Sequence, residues 1–124
     1  MNKILQKFLI ALSLILVTSC TESIDIQLKE TLVRSDNVKQ TVILTPKDES
    51  FKLLNQWLIE NKDDWNITSG RYPGGIYIKS GDHGIQITNK KVIIYDAKTT
   101  KPRALYIKEI SQNELSQIKE LYLR

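Results

Sequence analysis

Residues 76–95 read IYIKSGDHGIQITNKKVIIY, and this stretch decides the fold. Aliphatic side chains recur at every second position in three short runs, which is the period of strands that bury one face. Polar connections separate the runs at residues 80–83 and at residues 89–90. Taken as hairpin loops, these connections predict a three-stranded antiparallel meander.

The loop lengths also predict the register of this meander. Counted through the two loops, six aliphatic side chains fall on one face of the sheet and form four cross-strand pairs. The pairs are Ile76 with Ile87, Ile78 with Ile85, Ile85 with Ile94 and Ile87 with Val92. A slip of one residue would turn all six side chains outward, so their agreement supports the register.

The opposite face of the meander carries Tyr77 and Tyr95. A fourth strand over residues 103–108, with Leu105 and Ile107 inward, would add Tyr106 to that face. Aromatic residues are enriched in the cores of protein interfaces, so the three tyrosines are candidate partner-binding residues. Alternatively, they pair across strands and only stiffen the sheet.

The segments before the meander predict two strands and a helix. Residues 24–29 alternate as a half-buried strand, and residues 38–44 form a second strand beyond a turn at residues 35–37. The first of these segments could instead be a flexible linker. A helix begins at Thr45-Pro46 and ends in the polar run 60–64, with Trp57 on its core side.

The segment after the meander predicts a terminal helix. Ser111 and Glu114 have the spacing of a capping box, and Leu115, Ile118, Leu121 and Tyr122 follow on one face. The chain is therefore predicted to be α+β. Its antiparallel sheet comprises the meander over residues 75–108 and the N-terminal strands, with two helices packed on one face.

Two loops supply the remaining candidate contacts. Residues 69–75 include three glycines and a proline, and they present Arg71 and Tyr72, residue types common in binding hot spots. His83, the only histidine, follows Asp82 in a hairpin loop. A zinc site needs three or four ligands, and only these two are evident, so we predict a solvated loop and no metal.

The first residues predict secretion. Lys3 and Lys7 precede the apolar run FLIALSLILV at residues 8–17, which is the pattern of a signal peptide. A membrane-spanning helix would need about 20 apolar residues, and the run over residues 8–17 is too short for that.

The end of this run, Val17-Thr18-Ser19-Cys20, resembles the lipobox of bacterial lipoproteins. The resemblance covers residues 1–20. It implies cleavage after residue 19, acylation of the Cys20 thiol and of the new amino terminus, and attachment to a bacterial cell membrane or outer membrane, facing the periplasm or exterior. By the family's habit, Thr21 after the cysteine favours the outer membrane.

We therefore expect residues 1–19 to be a cleaved signal peptide and residues 20–23 a lipidated tether, which would extend to residue 37 if the first strand does not form. Residues 24–124 would be a single domain. The mature chain would keep 16 basic and 14 acidic residues, a net charge of +2, because Lys3 and Lys7 leave with the signal. That balance, without a clustered basic face, argues against nucleic acid as a partner.

The sequence contains no phosphate loop, dinucleotide fingerprint or serine elbow, so we expect neither a cofactor nor catalysis. The leading hypothesis is a lipid-anchored protein of the cell envelope that binds another protein, as an inhibitor, an immunity protein or an accessory subunit. The alternative is a binder of saccharide or peptidoglycan that stacks sugar rings on Trp65, Tyr72 and the tyrosine face. An enzyme using His83 and Asp82 ranks third.

Overall fold

Seven strands and two helices make up the fold in the computed structural model, which describes residues 21–35 and 41–122. They follow one another as β1 (Thr31–Ser35), β2 (Thr41–Leu44), α1 (Glu49–Glu60), β3 (Asn66–Ile67), β4 (Ile76–Ser80), β5 (His83–Ile87), β6 (Lys91–Asp96), β7 (Arg103–Glu109) and α2 (Ser116–Tyr122). The predicted signal peptide, Cys20 and most of the predicted turn at residues 35–37 lie outside the described residues.

The strands form one antiparallel sheet in the order β2-β1-β4-β5-β6-β7-β3. Both helices contribute to a single apolar cluster with the inward residues of the sheet, so they cover the same face. The predicted α+β class is confirmed. We call the covered side of the sheet the core face and the other side the outer face.

The predicted register of the meander is confirmed. All four predicted pairs are present, and their six aliphatic side chains are each no more than 1% exposed. Burying one such side chain contributes roughly 1.5–3 kcal/mol, so this strip is a large part of the core. The first connection is shorter than predicted, because Ser80 and His83 pair with each other and leave residues 81–82 as the turn.

The prediction of a strand over residues 24–29 is wrong. The strand that pairs with β2 is β1, which also pairs with β4, and residues 24–29 have no place in the sheet. Their alternation nevertheless reflects burial, because Ile24 is buried and Ile26 and Leu28 pack against the core cluster. Alternating burial therefore marked a segment that crosses the core face without strand partners.

The segment before β1 is instead bonded to the connection between α1 and β3. The backbone of Glu22 pairs with that of Trp65 in both directions, over N···O distances of 2.7 and 3.0 Å. The Ile24 amide donates to the Lys62 carbonyl oxygen over 2.7 Å, and the Ser23 hydroxyl donates to the Asp63 carboxylate. Residues 22–24 are thus joined to the domain by backbone hydrogen bonds.

Helix α1 begins four residues later than the predicted start at Thr45. The Asp48 carboxylate accepts hydrogen bonds from the Thr45 amide at 2.7 Å and from its hydroxyl at 3.3 Å. These bonds close a turn over residues 45–48 and leave Asp48 at the N-cap position. The helix ends at Glu60 as predicted, and it buries Phe51, Leu54, Trp57 and Leu58.

Helix α2 also begins later than its capping box predicted. The Ser111 amide donates to the Glu114 carboxylate over 3.2 Å, which is half of the expected reciprocal pair. Leu115 then has a φ of 56°, in the left-handed region, so the helix starts only at Ser116. The other Glu114 oxygen accepts from the Trp57 indole at 3.2 Å and so joins the two helices.

The placement of Tyr106 on the outer face is wrong. The register between β6 and β7 shifts at Ile94/Tyr95, so that Tyr95 pairs with Ala104 but Ile94 pairs with Tyr106. A bulge of this kind reverses the alternation beyond it. Tyr106 therefore lies on the core face and packs against the core cluster, whereas Ile107 pairs with the outward Ile93.

One cation lies in the interior. Lys119 is only 5% exposed, and its ammonium donates to the carbonyl oxygens of Asn89, Gln112 and Ser111 over 2.9, 3.2 and 3.4 Å. Burial lowers the pKa of Lys119, and the nearby Glu114 carboxylate acts in the opposite direction. Lys119 joins α2 to the β5–β6 turn and to the segment between β7 and α2.

We expect Gly75→Ala to lower the free energy of unfolding by about 2–4 kcal/mol. Gly75 has a φ of 77°, and an added methyl carbon would lie 2.1 Å from the Ile87 carbonyl oxygen. Gly74 is the matched control, because its φ is 84° but nothing lies within 4 Å of the added carbon. Urea denaturation of residues 21–124 measures both variants, and equal losses would contradict the steric argument.

Candidate functional site

The outer face carries an open groove with a volume of about 1100 Å³. Its floor is formed by Tyr77, Gln86 and Tyr95. Tyr77 on β4 pairs with Gln86 on β5, and Tyr95 on β6 lies diagonally from Gln86, opposite Gly84. One wall is the loop segment 69–72, and the other is the segment 99–104, which runs from the loop after β6 into the start of β7. The sheet therefore positions the floor, and two irregular loops shape the sides.

Gln86 holds the first loop against the sheet. Its side-chain amide donates to the carbonyl oxygens of Tyr72 and Gly74, each over 2.7 Å, and its oxygen accepts from the Tyr95 hydroxyl. Gln86 is 7% exposed, and a buried amide is stable only when its polar atoms are bonded. The loop is thus bonded to β5 through two of its backbone carbonyl oxygens.

Two contacts fix the Tyr72 side chain in the first wall. Its hydroxyl bonds with the Thr68 hydroxyl, and the Lys91 ammonium lies 5.4 Å from the centre of its ring. A cation over a tyrosine face at this distance is attracted by the ring quadrupole. Tyr72 is half-buried, so part of its ring is open to the groove.

The two floor tyrosines contact each other edge to face. The ring centres of Tyr77 and Tyr95 are 5.7 Å apart, with 72° between the planes. Tyr77 also lies over Gly84, where an added methyl carbon would be 2.1 Å from the phenolic oxygen. That oxygen is buried and has no hydrogen-bond partner among the described residues. Tyr77 therefore contributes ring surface, not a free hydroxyl.

Both floor phenols stay protonated well into the alkaline range. Burial raises the pKa of Tyr77, and the neighbouring Tyr95 raises it further. Burial also raises the pKa of Tyr95, with a smaller contribution from Tyr72. The Tyr95 hydroxyl is consequently a hydrogen-bond donor to Gln86 at neutral pH, as the geometry requires.

The charge of the groove has one sign. Arg71 lies on the first wall, and Lys101 and Arg103 lie on the second. Among the described residues that line the groove, none is a carboxylate, a histidine or a cysteine. The lining therefore offers cations, tyrosine rings and hydroxyls, which suit an anionic or polar ligand group, and it lacks the usual acid–base pair of a hydrolase.

The structure brings together four of the six predicted contact residues: Arg71, Tyr72, Tyr77 and Tyr95 all line the groove. Tyr106 does not, because it faces the core. His83 shares the face of Ile85, opposite the tyrosines, where it pairs with Ser80 and Asp96. Trp65, predicted as a sugar-stacking residue, is 0% exposed and contacts Trp57 edge to face.

Sequence reasoning missed the second wall and the role of Gln86. The sequence predicts only a polar loop over residues 96–102 and the fourth strand from residue 103. The second wall could have been predicted from its position in the sequence. The loop begins directly after β6, which ends one residue beyond Tyr95, so it must start beside the tyrosine. The bonds of Gln86 to loop carbonyl oxygens leave no trace in the residue pattern.

A second cavity of about 310 Å³ lies between the helices, lined by residues that include Leu53, Trp57, Leu115 and Ile118. Its lining contains Glu60 but no cation, so no pair of opposite charges converges there. Within residues 21–35 and 41–122, no three metal-ligating side chains come together. Neither helix in that part of the chain is long and apolar enough to span a bilayer.

Comparisons with known proteins add no assignment: no family model, no curated protein and no solved structure matches this chain.

The two floor tyrosines should respond oppositely to loss of their hydroxyls. Tyr95→Phe leaves the buried Gln86 oxygen without its donor, so we expect the free energy of unfolding to fall by about 1–2 kcal/mol. Tyr77→Phe is the matched control, because its buried hydroxyl has no partner among the described residues, and we expect unchanged or slightly higher stability. Denaturant titration of both variants would contradict this reading if Tyr77→Phe cost more.

Proposed function

We propose that this chain is a lipid-anchored protein of the bacterial cell envelope whose groove binds an acidic surface of another protein. The single observation that carries the binding role is the convergence of Arg71, Lys101 and Arg103 around a tyrosine floor, with no carboxylate in the described lining. Arginine and tyrosine are the residue types that most often dominate protein interfaces.

The anchoring part of the proposal is supported by residues 1–20, which lie outside the described structure. The basic start, the apolar run and the lipobox-like end at Cys20 occur in the order that lipoprotein processing requires. Cys20 is also the only cysteine, so it cannot form a disulfide within the chain, and acylation would account for its thiol. Several acyl chains together hold a protein firmly to a bilayer.

The protein partner is favoured over a saccharide by the orientation of the aromatic rings. Stacking on a sugar requires an open, flat ring face. Trp65 is in the core, Tyr77 and Tyr95 are turned toward each other, and Tyr72 has the Lys91 ammonium over its ring and only part of that ring open to the groove. We therefore expect the domain to stay in the supernatant when mixed with purified peptidoglycan, and sedimentation with the wall would favour the alternative.

Anchoring is tested by Cys20→Ser in the producing bacterium. We expect the wild-type chain to partition into detergent with the membrane fraction, because each buried CH₂ group of its acyl chains contributes about 0.8 kcal/mol to membrane binding. The variant should lose acylation and leave that fraction. Mass spectrometry of the mature amino terminus identifies the modification, and an unmodified wild-type Cys20 would refute the anchor.

Binding is tested by reversing two charges of the groove. We expect Arg71→Glu with Lys101→Glu to weaken capture of an envelope partner at least about tenfold, since losing a hot-spot pair costs 2 kcal/mol or more. Lys47→Glu with Lys52→Glu is the control, because both lysines are exposed, lie outside the groove lining and change the net charge equally.

The measurement is affinity purification of envelope proteins on residues 21–124, with quantitative mass spectrometry. A partner retained equally by both double variants would refute the groove as the binding site. Loss from the control variant as well would attribute binding to the overall charge of the domain.

A further inference from the structure

The chain leaves the domain at the β3 edge of the sheet. Glu22 and Trp65 share two backbone hydrogen bonds, and Trp65 directly precedes β3. The bridge is antiparallel, so the chain enters Glu22 from the side on which Ile67 follows Trp65. Only Thr21 separates this paired residue from Cys20. Two residues of backbone reach at most about 7 Å, so the covalent chain limits the proposed acylation site to that distance from Glu22.

The same edge exposes an apolar side chain. Ile67 is 70% exposed, the highest value of any large hydrophobic residue that the structure describes. It lies on β3, two residues beyond Trp65. The headgroup layer of a bilayer is about 5–8 Å thick on each side. A side chain within several ångströms of a lipidated residue can therefore reach that layer.

We propose that the domain lies on the bilayer through this β3 edge, with Ile67 in the headgroup layer and no flexible tether. This inference rests on acylation of Cys20 as proposed above. The occupant of the edge is a lipid surface, because the anchor and the exposed apolar side chain meet there.

The sheet order then determines what faces away from the membrane. β2 is at the opposite edge, and six spacings between neighbouring strands separate it from β3 by up to about 29 Å. Ile43 on β2 is 61% exposed and therefore provides a far reference position. If residues 22–24 were instead detached as a flexible tether, the domain would rotate, and the β3 edge would meet the bilayer no more often than the β2 edge.

The experiment uses the lipidated mature chain in phosphatidylcholine vesicles in which some headgroups carry a nitroxide quencher. Since Cys20 is the only cysteine and its thiol is acylated, Ile67→Cys and Ile43→Cys each introduce one free thiol for a fluorophore. We expect a large loss of fluorescence for the label at position 67 and little or none for the label at position 43.

Glu22→Pro provides a second variant, because proline lacks the amide that donates to Trp65 over 2.7 Å. In the Ile67→Cys background it should weaken the quenching while leaving the chain bound to vesicles. Equal quenching of the labels at positions 67 and 43, in vesicle-bound chains that keep Glu22, would overturn the fixed contact but not the anchor. A chain that fails to bind vesicles would overturn the proposed anchor, and the contact with it.

Discussion

The period of two along β4, β5 and β6 is the constraint on which the rest of the structure depends. It assigns aliphatic side chains to the core face and Tyr77, Gln86 and Tyr95 to the outer face within the same three strands. The helices cover the first set, and the loop over residues 69–75 bonds to the second. The core and the groove are thus two results of one alternation.

Much of the fold could be predicted because burial leaves a periodic pattern. The register of the meander, the side of α1 that carries Trp57 and the end of that helix all follow from the spacing of apolar residues. The same pattern misled at residues 24–29, because alternation records which side chains are buried. It does not record whether the backbone has a strand beside it. Here the Ile24 amide donates to the Lys62 carbonyl oxygen and the Lys29 amide donates to the Ser80 hydroxyl.

The bulge in β7 could not be predicted for a related reason. Leu105, Tyr106 and Ile107 are all apolar enough to face a core, so either alternation fits the residues. The choice is made by the shift at Ile94/Tyr95, which the spacing of apolar residues does not reveal. The groove walls share this limit, since Gln86 recognises the loop through the carbonyl oxygens of Tyr72 and Gly74, and every residue has such a group.

The contact between Tyr77 and Gly84 makes two positions on neighbouring strands share one volume. A glycine inside a strand often marks the close approach of another group, and here that group is a phenol ring from β4. Any side chain at position 84 would need the space that Tyr77 now fills. Sequences that keep this sheet can therefore vary at position 84 only when position 77 becomes smaller, and the two sites should change together as a coupled pair.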